Sequence, residues 1–229
     1  MTTESTGRLI AIGDIHGCSR ALQTMLEKLA PGPADTLVVL GDMVDRGPDS
    51  EKVIRQLLAL QGKTTLIALL GNHEEMLLAV ADGHLSPTTW TRHGGEQVLT
   101  SYGVDHPAQI PRQHLDFLRS AQLFHEQGSH LFAHACYLPQ CPLAKTPREV
   151  LLWDFANPGE LQPHCSGKAV VLGHTTQPDG DILDLGFVTL IDTGCCQGGW
   201  LTALDLTTGR VYQANEKGKL HSFERPIPG

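Results

Sequence analysis

Three short apolar runs constrain this chain more than anything else in it, because each stops at a glycine and gives way to side chains that carry charge or a lone pair. Residues 9–12 lead into Gly13-Asp14-Ile15-His16-Gly17, residues 37–40 into Gly41-Asp42-Met43-Val44-Asp45-Arg46-Gly47-Pro48, and residues 66–70 into Gly71-Asn72-His73-Glu74. Any one such junction is a common polar turn. Three in succession predict strands whose carboxyl ends meet at one edge, where open α/β sheets hold their ligands.

The segments between the runs read as helices. Leu22, Met25, Leu26 and Leu29 fall at i, i+3, i+4 and i+7 before Pro31-Gly32-Pro33 ends the pattern, and Val53, Ile54, Leu57 and Leu58 form a second stripe that Asp49 or Ser50 can cap. A third helix is expected over 74–81. Strand, loop and helix repeated three times predict right-handed βαβ units and a parallel sheet with covered faces. From 82 to 120 the pattern breaks into short helical pieces punctuated by Pro87, Gly94-Gly95 and Gly103, which reads as an insertion capping the strand ends. Its Trp90, Arg92 and His93 are candidates for gripping a substrate, with a structural cap helix the equal alternative. Further on, 131–133 runs into His134 and 169–172 into Gly173-His174. Segments 182–185, 187–192, 200–206 and 210–213 alternate with glycine-rich turns as an antiparallel section, with the residues after His221 expected to be loose.

At 229 residues and 41% apolar composition, the whole of 1–229 is expected to form a single domain with 82–120 as its cap. The net charge of -8 argues against a nucleic-acid or anionic-membrane partner. The polar segment 1–7 lacks the basic and apolar regions of a secretory signal, and no apolar run approaches the roughly 20 residues of a membrane span, so a cytoplasmic protein is expected. Six cysteines without a Cys-x-x-Cys pair are expected to be free thiols.

The strand-end donors are Asp14, His16, Asp42, Asn72, His134 and His174. A nitrogen and oxygen set without thiolate favours manganese, iron or zinc over a zinc finger or an iron–sulfur cluster, and it is too rich in imidazole for calcium. Six donors are too many for one tetrahedral ion. With a bridging carboxylate, for which Asp42 is the natural choice, they suit two ions about 3.5 to 4 Å apart. Two divalent ions together with Arg46 leave such a pocket cationic, so a phosphate dianion fits it. Water between the ions would be largely hydroxide near neutral pH, because coordination can bring its pKa to about 7, and neither a nucleophile elbow nor a P-loop is present. His73, held as imidazolium by Asp45, is expected to protonate the leaving oxygen, a contribution of about 10² to 10⁴ in rate. Arg46 and Asn72 are expected on the phosphate, with Arg92 as a further contact, and Asp192 is expected to hold a ligand histidine.

Gly13 to Gly17, Gly41 to Gly47, Gly71-Asn72-His73-Glu74, His134-Ala135 and Gly173-His174 together resemble the phosphoprotein phosphatase family of the metallophosphoesterase superfamily, particularly its small bacterial and phage members. The resemblance implies a four-layer αββα sandwich, calcineurin-like, with Asp14, His16 and Asp42 on one ion and Asp42, Asn72, His134 and His174 on the other. It implies His73 as acid, Asp45 as its partner and Arg46 on the phosphate oxygens. The small bacterial members place an arginine near a Leu-Leu-Trp segment, whereas Leu151-Leu152-Trp153 is followed here by Asp154 and Phe155. Asp192-Thr193-Gly194-Cys195-Cys196 with Gly198-Gly199 is similar instead to the symmetrical diadenosine tetraphosphate hydrolases of the same superfamily, which typically lack Asp45. The full Val-Asp-Arg and Asn-His-Glu set therefore points to a manganese-type phosphomonoesterase acting on phosphoserine or phosphothreonine proteins or small phosphoesters. Nucleoside polyphosphate cleavage is the alternative, and a non-catalytic scaffold a third reading.

Overall fold

The computed structural model describes residues 7–224. Segments 1–6 and 225–229, and with them most of the expected polar amino terminus, lie outside it. The first three strands, β1 (Leu9–Ile12), β2 (Thr36–Val39) and β3 (Thr65–Ala68), pair in parallel, as the runs predict. Helix α1 (Ser19–Leu29) follows β1, α2 (Ser50–Leu58) follows β2, and α3 (Asn72–Ala81) follows β3. Of the two candidate caps for α2 it is Asp49 that serves, taking a long 3.4 Å bond from the Lys52 amide and a 3.0 Å bond from the Ser19 hydroxyl. Helix α3 begins at Asn72, two residues before the expected start, because the Glu74 side chain accepts the Gly71 amide at 2.9 Å and so closes the first turn.

The insertion holds α4 (Pro87–Trp90), a π-type turn (Thr91–Gly95), α5 (Glu96–Tyr102) and α6 (Arg112–Arg119). A second sheet then forms from β4 (Phe124–Gln127), which the sequence reading missed, β5 (His130–Ala133), β6 (Ala169–Leu172), β7 (Leu183–Asp184) and β8 (Val188–Leu190), with α7 (Arg148–Trp153) between β5 and β6. β9 (Leu201–Asp205), β10 (Arg210–Ala214) and β11 (Leu220–Glu224) complete the chain.

The sheet orders are β11-β10-β9-β1-β2-β3 and β4-β5-β6-β8-β7. The late strands expected to form one antiparallel section are therefore divided. β9 joins β1 antiparallel in the first sheet, while β8 joins β6 in parallel in the second. The segment after His221, expected to be loose, is paired with β10 as far as Glu224.

Period-two alternation explains why two sheets face each other. Ala11, Val38 and Leu40 from the first sheet and Phe132 and Val171 from the second fill the space between them. Their neighbours Ile10, Ile12, Leu37 and Val39 point outward to Leu22, Met25, Ile54 and Leu57 of α1 and α2. Leu131, Ala133, Val170 and Leu172 pack outward under Leu151 of α7. The result is the four-layer α/β sandwich. Each fully buried aliphatic side chain contributes about 1.5–3 kcal/mol, so both faces of each sheet are held by packing. No helix among the described residues is long and apolar enough to cross a membrane.

Candidate active site

All the predicted donors lie just beyond the carboxyl ends of β1, β2, β3, β5 and β6, and the backbone there is bent to present them. His16, Asp42, Asp45, Arg46 and His174 have φ of 45, 46, 69, 63 and 58°. Among the described residues the one other non-glycine with positive φ is Ala30, which ends α1. Left-handed backbone costs a residue with a β-carbon roughly 1–3 kcal/mol, and it concentrates where the surrounding structure holds it in place. Two glycines let the chain close behind the carboxylates. A β-carbon on Gly71 would lie 2.2 Å from Asp42 Oδ1, and one on Gly173 would lie 2.2 Å from Asp14 Oδ1. Amides one or two residues beyond these glycines donate to the same groups, His73 N to Asp42 at 3.2 Å and His174 N to both Asp14 oxygens at 3.1 Å.

Asp42 stands at the centre. It belongs to one group with His16 and His73 and to another with His134 and His174, the ligand atoms within each lying inside 4.8 Å of one another. Asp14 falls outside both groups and packs against the amide of His174. The imidazoles are aimed from behind: His16 Nδ1 donates to the Val44 carbonyl at 2.9 Å and His134 Nδ1 to the Leu40 carbonyl at 2.8 Å. The second of these bonds ties the second sheet to the first. Each leaves its Nε2 lone pair facing Asp42, 3.4 Å away in both cases.

Metal ions fit this arrangement on its own chemistry. The Asn72 side-chain amide lies 3.1 Å from His134 Nε2 and within 3.3 Å of both Asp42 oxygens, so its oxygen is placed to join them around a cation. His174 Nε2 is buried without a hydrogen-bond partner. Burial and the charges of Asp192 and Asp42 push the Asp14 pKa well up, the mark of carboxylates gathered with too little positive charge. Burial lowers His16 to about 3 and His174 to about 4, so both are neutral and able to ligate. For Asp42 burial acts upward, but the surrounding imidazoles outweigh it and hold the carboxylate below its ordinary range. The donors are nitrogen and oxygen throughout, as first-row ions prefer.

Beside the donors, His73 Nδ1 lies 2.7 Å from Asp45 Oδ2, the pair being 1% and 0% exposed. Burial opposes the charge on His73, yet Asp42 and Asp45 together raise its pKa. Burial raises Asp45 to about 6, against the hydrogen bonds from His73 and Trp90. Arg46 Nη1 lies 3.1 Å from His16 Nε2.

Two supporting residues escaped the sequence reading. Trp90, read there as either a substrate contact or part of a structural cap, is fully buried, and its indole N–H donates to both Asp45 oxygens at 3.0 and 2.9 Å. The turn after it grips the same loop: Arg46 N donates to the Gly94 carbonyl at 3.1 Å, and a β-carbon on Gly95 would lie 2.3 Å from the indole. A lone tryptophan four residues ahead of Gly-Gly in a polar insertion was the available signal. Glu74 is the other, its carboxylate accepting the amides of Asp42, Met43, Val44 and Gly71 at 2.8, 2.7, 3.1 and 2.9 Å. Burial and the charge of Asp42 raise its pKa to about 8. Asp192 does not bond a histidine; it accepts from Thr176 Oγ1 at 2.6 Å and from the Gly194 amide at 3.0 Å.

A cavity of about 380 Å³ opens onto this centre, lined among others by Arg46, His73, His93, Trp153, Phe155 and His174. Arg92 is exposed and absent from its lining, whereas its neighbour His93 is present. Phe155 is 73% exposed, with its ring 5.0 Å from that of His174. Trp153 is anchored beside it by a 2.7 Å bond to Glu75.

Residues 7–178 match the calcineurin-like phosphoesterase family. The chain is 30% identical to the symmetrical bis(5'-nucleosyl)-tetraphosphatase of Janthinobacterium sp. (strain Marseille), over 89% of this chain and 94% of that protein. It is 34% identical to serine/threonine-protein phosphatase 1 of Salmonella typhimurium, over 83% of this chain and 88% of that one. Among solved structures, that of a candidate diadenosine tetraphosphatase superposes with a TM-score of 0.66 at 24% identity, over 96% of this chain and 94% of that one.

Proposed function

The chain belongs to the calcineurin-like phosphoesterase family, a group of metal-dependent hydrolases, and on that premise we propose that it cleaves dinucleoside tetraphosphates symmetrically into two nucleoside diphosphates. The observation that carries this reading is Phe155. Near where the small bacterial phosphatases place an arginine, an aromatic ring stands 73% exposed beside His174 at the cavity. An exposed ring there adds nothing to the binding of a lone phosphate, but it offers a nucleobase a stacking face worth about 1–3 kcal/mol. The extent of the match to the Janthinobacterium tetraphosphatase supports the same substrate class. The sequence reading, led by the Val-Asp-Arg and Asn-His-Glu motifs, had put protein phosphatase first.

Asp14, His16 and Asp42 would hold one divalent ion and Asp42, Asn72, His134 and His174 the other, with manganese, iron or zinc matching the donors. When bound, the ions supply Lewis acidity and an activated water. The protein's own residues do the rest. Arg46 neutralises phosphate oxygens. His73, held at Nδ1 by Asp45, presents Nε2 toward the leaving oxygen and protonates it. Trp90 and Glu74 fix the loop that carries Asp42, Asp45 and Arg46.

A phosphomonoesterase acting on phosphorylated proteins is the second reading. The 2.7 Å His73–Asp45 pair favours it, since an alkoxide leaving group needs an acid more than a diphosphate does, and the Salmonella relative supports it. Turnover of diadenosine tetraphosphate and of a phosphoserine peptide on one manganese-loaded preparation separates the two. The expected kcat/KM favours the dinucleotide by more than about tenfold, a difference of about 1.4 kcal/mol. A preference for the peptide reverses the order, and activity that survives a chelator removes the metal-dependent reading altogether.

A further inference from the structure

The loop from Asp192 to Gly199 contributes no donor to the metal site, yet it is built with care. Gly194 and Gly198 have φ of 70 and 88°, and a β-carbon on Gly199 would lie 2.2 Å from the Thr193 carbonyl oxygen. Folded this way, the loop bounds a second cavity of about 470 Å³ together with Thr176, Asp179 and Trp200. Thr176 and Gln197 line this cavity and the one over the metal donors alike, so the two adjoin.

The chemistry of the walls restricts the occupant. No lysine or arginine lines the cavity, and Asp179 brings a carboxylate. The amides of Gly194, Gln197, Gly198 and Gly199 that line it cannot cradle an anion, because they already donate to Asp192, Gly194, Cys195 and Gly194. A phosphate is therefore unwelcome. A flat uncharged group with a polar rim is not, since Trp200 supplies an aromatic surface. The Trp200 backbone is held by the bond from its amide to the Thr193 carbonyl at 3.0 Å, and its indole packs against the His221 ring, 4.3 Å away edge-on, with Lys219 Nζ 5.8 Å from the ring centre.

Resting on the nucleoside polyphosphate reading, we propose that this cavity, walled by Trp200 and the glycine loop, receives one nucleoside of a dinucleoside polyphosphate while the other stacks on Phe155. The tetraphosphate then bends over the metal donors with its two nucleosides in the adjoining cavities that Thr176 and Gln197 share, and the site selects substrates that carry two nucleosides over those that carry one.

The test compares KM for three substrates on manganese-loaded wild type, Trp200→Ala and Trp200→Phe. Diadenosine tetraphosphate carries two nucleosides, adenosine 5'-tetraphosphate carries one on the same phosphate chain, and p-nitrophenyl phosphate carries none. The expected wild-type KM for the dinucleotide is about tenfold below that for adenosine tetraphosphate, and Trp200→Ala removes the difference, in line with the loss of one stacked base. Trp200→Phe keeps most of it, and aryl phosphate turnover is unchanged throughout. If wild type cleaves the dinucleotide but Trp200→Ala leaves its KM unaltered, the cavity proposal is overturned and the proposed function stands. If wild type cleaves aryl phosphate but not the dinucleotide, the proposed function fails and takes the cavity proposal with it. Equal loss on all three substrates assigns Trp200 to the framework and also overturns the proposal. Should the alanine variant not fold, Trp200→Leu keeps the apolar volume without the ring and is read by the same criteria.

Discussion

The two ends of β1 and β2 are a few residues apart in sequence and opposite in character. At the amino ends, Asp35 accepts the Arg8 amide at 2.8 Å, the Arg8 guanidinium at 3.2 and 2.6 Å, and the Gly32 amide at 2.9 Å. The bond to Arg8 leads the causes that hold its pKa down at about 2. At the carboxyl ends, Asp14 lies buried among like charges with its pKa pushed up, and the residues beyond β2 occupy left-handed backbone. The same sheet thus satisfies its charges at one end and leaves them opposed at the other. Stability is invested where no chemistry happens, and the strain is gathered where a cation and a phosphate would relieve it.

Substitutions at the two ends should therefore move different observables. The largest effect is expected from His73→Asn. At the strained end it should slow hydrolysis of alkyl phosphates by about 10² to 10⁴ while leaving metal content intact, with a smaller loss for aryl phosphates and phosphoanhydrides, whose leaving groups need less help. Steady-state kinetics across leaving groups, with metal analysis, measure it; equal losses for good and poor leaving groups would remove His73 from proton transfer.

Asp35→Asn should do the reverse, leaving kcat near wild type and costing stability. A carboxyl held from 3.8 down to about 2 is worth about 2 kcal/mol. A depressed carboxyl contributes fully above its ordinary value and loses that contribution as pH falls through its folded value, so the wild type should weaken between about pH 4 and pH 2 by more than the variant does. Urea unfolding at stepped pH reads this directly, and an unchanged acid profile would break the contrast between the two ends.

The smallest effect carries the opposite sign. With metal stripped by chelator, Asp14→Asn should stabilise the protein by roughly 1 kcal/mol, because it removes a buried charge facing Asp192 and Asp42. The raised Asp14 carboxyl predicts that the chelated wild type also loses stability as pH rises through its folded value, the reverse of Asp35. Thermal melts with and without chelator test both, and a destabilised chelated variant would show that Asp14 is satisfied without metal.

Much of the site was legible because its donors sit in short motifs. A glycine and an acid after an apolar run already specify a strand end and a carboxylate, and that is local chemistry. Glu74 was in view but its work was not, since the four amides it holds belong to the β2 loop and to Gly71. Trp90 stood between a substrate contact and a structural cap for a related reason. In a polar insertion a tryptophan looks free to meet a ligand, until folding closes the insertion onto Asp45 and buries the indole.

By itself the sequence determined the first three strand–helix units, the chemical type of the donors and the alternation that gives each sheet two apolar faces. These follow from side chains near one another along the chain. Only the tertiary structure decided that the last strands divide between two sheets, that His134 reaches across to Leu40, and that Phe155 and Trp200 border adjoining cavities. Those outcomes depend on contacts between residues tens of positions apart, which are selected by packing the whole chain at once.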